Sequence, residues 1–150
     1  GFKYENTILF YYKLNNKEHF DKSWTFVDGR LFSLYATEDP FIYTLSSVAH
    51  TPINSSMKSN IIKKKLLNIS NKILIEKNKL MQKEILEYYP NFLNDFEYVG
   101  NQISTKTKPI GLDDDRSCYL SKQGRIISVI SGKIDNIFYA TSELLSMLCV

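Results

Sequence analysis

Three consecutive carboxylates, Asp113, Asp114 and Asp115, run directly into Arg116, in a chain whose only arginines stand at positions 30, 116 and 125. Carboxylates are hard oxygen ligands suited to Mg²⁺. Adjacent aspartates cannot all face one ion, so a solvated turn or a pairing of Asp115 with Arg116 competes with a metal site. Just upstream, Lys106 and Lys108 alternate with threonines up to Pro109, which sets two cations at the end of an extended run. Downstream, Ser131-Gly132-Lys133-Ile134 follows an apolar run and opens a helical segment. Free N–H groups, the positive dipole end and a lysine favour a negative group there. Every helix has such an end, so this motif is weak alone.

Other chemistries find less support. His19 and His50 are the only histidines, and neither belongs to an HExxH-like or zinc-like cluster. A surface or sheet-edge role is expected for both. Cys118 and Cys149 are far apart and outside any CxxC spacing. Reduced thiols in a cytoplasmic setting are therefore expected. The six glycines form neither GxGxxG nor GxxxxGK[ST], so the sequence carries no fingerprint for holding a dinucleotide or a nucleoside triphosphate unaided.

The elements that must position these residues follow a strand, helix, strand order. Asn6–Leu14 is aromatic and β-branched and ends at Asn15-Asn16, which predicts a strand. Ser23–Ala36 alternates about Asp28-Gly29, the signature of a tight hairpin. Phe41–His50 is expected as a further strand closing at Thr51-Pro52, where proline cannot donate to a ladder. Together these make about four antiparallel strands.

From Ser55 or Ser56, read as N-caps, to Tyr89 the apolar residues keep helical spacing. One seam is Ile62, Leu66, Ile69 and Ile73; the other is Leu67, Leu74, Met81, Ile85 and Tyr88. Asn68–Asn71 is a candidate break into two helices, and Pro90 is the stop. Phe96–Thr107 reads as extended, followed by strands at 116–120 and 125–130 about a turn at Lys122-Gln123-Gly124. A C-terminal helical segment carrying Ile134, Ile137, Phe138, Leu144, Leu145 and Leu148 is expected to bury one face. The predicted class is α+β, a mixed, mainly antiparallel sheet packed against a long helical segment.

A chain of 150 residues, 43% hydrophobic and 13% aromatic, can build one real core. It contains no apolar run long enough to span a bilayer and no signal-peptide order at its start, so a soluble protein without a membrane partner is expected. Lys58–Glu87 holds eight lysines against three glutamates, and a basic helical face can touch phosphate. A solvated face is the ordinary reading. The lack of interleaved aromatics argues against a single-stranded nucleic acid partner.

The succession Phe26–Leu34, Tyr43–Pro52, a lysine-rich helical insertion, Phe96–Gly100, Thr105–Pro109, Asp114–Ser117 and Val129–Asp135 resembles the C-terminal half of FAD-dependent oxidoreductases of the D-amino-acid oxidase and glycine oxidase type. The resemblance implies a substrate-binding domain over residues 1–108, and a strand and helix over 109–150 that return to an FAD-binding domain. It implies that Lys106, Lys108 and Arg116 face an anionic substrate, Lys108 standing where the family often has arginine. Lysine is a point charge rather than a planar fork. Asp115, Ser131, Gly132, Lys133 and Ile134 would lie toward the FAD. The GxGxxG half that holds the ADP moiety in that family has no counterpart in this sequence. The implied activity is therefore that of a substrate-binding and flavin-capping portion, acting on an amine or hydroxy substrate only with a missing FAD-binding half or partner chain. A non-catalytic module that binds an anionic ligand or a protein is the alternative.

Overall fold

A computed structural model of the chain describes residues 1–16, 18, 22–27, 29, 31–110, 118–131 and 134–148. Two compact units are present: Tyr4–Thr107, and Gly1–Lys3 with Lys108–Val150.

The larger unit is built on β1 (Phe2–Leu14), whose alternation places Ile8, Phe10, Tyr12 and Leu14 on a buried face. β2 (Trp24–Phe26) and β3 (Phe32–Ala36) form the expected hairpin, with Trp24 opposite Leu34 and Phe26 opposite Phe32. Gly29 lies between them at φ +73°, where a side chain would be strained. β4 (Ile42–Ser47) pairs antiparallel with both β3 and the C-terminal part of β1.

Beyond β4 the chain departs from the reading of the sequence. It does not leave the sheet at Pro52 but re-enters it as β5 (Pro52–Ser56), antiparallel to Tyr4–Thr7 of β1. Proline is tolerated as the first residue of a strand, where no ladder donor is needed. Nearby, the Ile8 amide donates to the Thr51 carbonyl at 2.9 Å. Ser55 and Ser56 are therefore strand residues, not N-caps. The sheet order is β2-β3-β4-β1-β5, and β6 (Phe96–Pro109) also pairs with β1.

The helical stretch divides into α1 (Ser59–Leu67) and α2 (Asn71–Tyr88), separated at Asn68–Ser70. Met81 and Ile85 of α2 enter the core with the short α3 (Phe92–Asp95). Its aromatics interlock: Phe92 stacks on Phe96 at 5.2 Å, and Tyr12 and Tyr43 meet them edge-on at 4.9 and 5.1 Å. The break resets the helical phase, so Leu67 does not join Leu74 in one seam and is 85% exposed.

In the smaller unit, β7 (Tyr119–Gln123) and β8 (Ile126–Ile130) form an antiparallel hairpin turning at Gly124, whose φ is +59°. A 3₁₀ turn (Ile134–Asn136) leads into α4 (Ile137–Leu148), whose last turn is tied to β7 by Lys122 Nζ donating to the Met147 carbonyl at 2.9 Å. The expected burial of one face is not found: no residue of α4 is buried, and Phe138 is 84% exposed. No helix among the described residues is long and apolar enough to cross a membrane.

Candidate functional site

The end of β6 that carries the candidate lysines is fixed by buried polar contacts. Asn6, fully buried on β1, donates to Asn54 Oδ1 at 3.0 Å and to the Ile62 carbonyl at 3.2 Å. It accepts from Thr105 Oγ1 at 2.7 Å. Thr7 Oγ1 donates to the Ser104 carbonyl at 3.3 Å. One buried carboxamide thus joins β1, β5, α1 and β6 with all its partners satisfied, which holds β6 in register. Lys106 and Lys108 follow as exposed residues. Ser131 is exposed beyond β8, and Ile134 begins the 3₁₀ turn. Asp115, Arg116, Gly132 and Lys133 lie outside the described residues, as does the Asp113–Asp115 run. Lys106 belongs to one unit and Lys108 and Ser131 to the other.

Two polar groupings escaped the reading of the sequence. The first is a cleft of about 390 Å³ between α2 and β6, lined by Asn71, Asn78, Lys79, Gln82, Tyr98 and Asn101 with Leu74 and Ile75. Under it, the fully buried Tyr12 donates its hydroxyl to Asn78 Oδ1 and accepts from Gln82 Nε2 at 3.1 Å. Burial pushes the Tyr12 phenol up to about 12, against smaller opposing effects of those two hydrogen bonds. On the β6 side, Asn101 Nδ2 donates to Tyr98 Oη at 3.0 Å. The lining offers amide donors and acceptors, one phenol and one ammonium, a set that can orient a small polar molecule by hydrogen bonds. Its signal in the sequence was the i, i+7, i+11 spacing of Asn71, Asn78 and Gln82, which puts three carboxamides on one stripe of α2.

The second grouping is Glu84, a carboxylate only 2% exposed on the inner face of α2. Ser47 Oγ donates to its Oε2 at 2.9 Å, and His50 Nε2 lies 2.8 Å from its Oε1. The acid stands between serine and imidazole, so the serine is not bonded to a base as a nucleophile must be. The geometry is that of a clamp holding α2 on β4 and the turn after it. Elsewhere on α2, Lys77 Nζ donates to the Pro52 carbonyl at 2.6 Å, and partial burial lowers its pKa, opposed by Glu76. His50, expected at a surface or sheet edge, therefore has a defined structural partner; His19 lies outside the described residues.

Cys118 is a free thiol and Cys149 lies outside the described residues. Among the described residues no group of three His, Cys, Asp or Glu side chains is placed to hold a metal ion. Nor, among the described residues, does a Gly-rich turn between a strand and a helix offer a cradle for the phosphates of a dinucleotide.

No family profile matches the chain, and no solved structure matches it. It is similar to part of a curated flavin-dependent oxygenase. That relative is the FAD-dependent monooxygenase FPY4 of Fusarium mangiferae, 43% identical over 145 residues. The match covers 97% of this chain and 38% of the relative, so the chain spans well under half the length of that protein.

Proposed function

We propose that this chain is the substrate-binding and flavin-capping portion of an FAD-dependent oxidoreductase. The observation that carries the proposal is the 43% identity, over nearly the whole chain, to 38% of an FAD-dependent monooxygenase. The absence of a dinucleotide fingerprint from the 150 residues agrees with a division of labour in which FAD is held chiefly by other parts of such a protein. On this reading the sheet unit supplies the substrate-side wall. The β7–β8 hairpin and α4 return toward the FAD-binding part, which covers the open apolar side of α4.

Lys106, Lys108 and Arg116 are the groups assigned to an anionic portion of the substrate, and the amide-lined cleft is a second place for polar substrate atoms. Asp115, Ser131, Gly132, Lys133 and Ile134 are assigned to the flavin side, where a helix start favours negative charge. An amine or hydroxy substrate, as in the oxidase type, and an oxygenation, as the relative's name states, are alternatives for the chemistry within this reading.

Sequencing the transcript outward from this segment tests the proposal. A continuous frame encoding a strand, GxGxxG and a helix is the expected result. An in-frame start directly before Gly1 with a stop directly after Val150 would contradict it.

A further inference from the structure

The small overall charge of +3 conceals a strong segregation. Met57–Ile75 contains five of the chain's nineteen basic residues and none of its sixteen acidic ones, leaving fourteen against sixteen elsewhere. The segment is +5 and the rest of the chain −2. Its lysines, Lys58, Lys63, Lys64, Lys65 and Lys72, are all exposed.

The same segment leaves large apolar side chains open. Met57 is 58% exposed, Ile61 39%, Leu67 85% and Ile75 57%. On α1, Ile62 is buried and Leu66 half-buried, which fixes the inward direction. At 100° per residue, Ile61, Lys64 and Leu67 then occupy the outward face, flanked by Lys63 and Lys65. A solvated helix face has no use for an 85% exposed Leu67 beside Lys64, and a nucleic-acid surface would place aromatic or arginine side chains there, of which Met57–Ile75 has none.

Apolar side chains projecting between lysines suit the boundary of an anionic bilayer. The hydrocarbon enters the acyl region while the ammonium groups rise along their stems to the headgroups. We propose that α1, with the adjoining Met57 and the start of α2, is a docking surface for membranes rich in anionic lipid. The protein lies on the bilayer without crossing it. This departs from the expectation of no membrane partner, which rested on the absence of a spanning segment and of signal-peptide order. Neither reports which side chains of a short helix face outward.

Cosedimentation of the 150-residue chain with vesicles tests the proposal. Strong binding to phosphatidylcholine vesicles containing phosphatidylserine is expected, with little to phosphatidylcholine alone and a steep loss as salt is raised. Replacing Lys63, Lys64 and Lys72 together by Gln should weaken binding about 100-fold, about fivefold for each lysine. Leu67→Ser should weaken it about tenfold without altering the salt dependence. These four positions are exposed, so circular dichroism should show the variants folded. Equal binding to both vesicle types, or binding to neither, overturns the proposal. So does an unchanged Leu67→Ser affinity combined with displacement of the vesicles by duplex nucleic acid, which would make the face a general polyanion surface.

Discussion

Every buried side chain among the described residues belongs to the unit Tyr4–Thr107, whereas α4 of the other unit buries none although it is the most apolar helix of the chain. The contrast separates two ways of using hydrophobic residues. In the sheet unit, Phe10, Tyr12, Phe32, Leu34, Tyr43, Leu45, Met81, Ile85, Phe92 and Phe96 meet one another and are removed from water within this chain. Each such side chain contributes about 1.5–3 kcal/mol by burial. In α4, Ile137, Phe138, Tyr139, Leu145 and Leu148 remain more than half exposed and contribute little of that kind.

The comparison is broken most directly by truncating one aromatic ring in each unit. Phe96→Ala removes a ring that is 1% exposed and stacked on Phe92, and should cost about 3–5 kcal/mol in urea unfolding. Equal sensitivity at Phe138 would show that α4 is packed in solution.

Glu84→Ala should cost about 3 kcal/mol, because the Ser47 hydroxyl and His50 ring lose a buried charged partner. Glu84→Gln, which keeps the shape and one acceptor, should cost clearly less. An equal loss in both would mean that the negative charge itself is what the clamp requires.

The Tyr12 phenol is raised by burial to about 12 in the folded chain against about 10 unfolded. A raised folded value means that its share of stability is complete below about pH 10 and is lost as pH climbs through about 12, roughly 2–3 kcal/mol in all. The difference in stability between the parent and Tyr12→Phe should therefore change across that alkaline window and stay constant below it. A difference that is constant throughout would contradict a buried, titrating Tyr12.

Gly29→Ala tests how closely the β2–β3 hairpin approaches α2. A Cβ at φ +73° would lie 2.3 Å from the Tyr88 hydroxyl, and a loss of about 1–2 kcal/mol is expected from backbone strain and the displaced ring. Smallest of all, Phe138→Ala should shift the stability of the isolated chain by no more than about 0.5 kcal/mol, the range of an exposed position.

Much of the sheet unit was legible because its signals are local. Aromatic and β-branched residues ending at Asn15-Asn16 marked β1, the stretch closing at Thr51-Pro52 marked β4, Asp28-Gly29 marked the hairpin, and Asn68–Asn71 marked the break between helices. What was misread depends on partners far away in sequence. Pro52 starts a strand because β1 offers an edge there, and Leu67 turns outward because the break resets the phase. The amphipathic pattern of α4 is genuine, but a pattern specifies a face and not the surface that covers it. Lys106 and Lys108 were singled out by their place at the end of an extended run and by the family resemblance, and the structure leaves both exposed. The Asn71, Asn78 and Gln82 stripe passed unnoticed because uncharged amides look like ordinary helix surface until β6 closes the cleft above them. Glu84 sits three residues after Met81 and beside Ile85, an acid inside an apolar stripe; without Ser47 and His50 in view it could equally have faced water.

Flavin content decides whether this chain caps a flavin held elsewhere. The purified 150-residue chain should be colourless and leave added FAD fluorescence unchanged, while the protein from the full reading frame around it should carry FAD in stoichiometric amount. A stoichiometric flavin spectrum on the isolated chain, or none on the full-length protein, would contradict the assignment of this chain as the portion that caps a flavin held elsewhere.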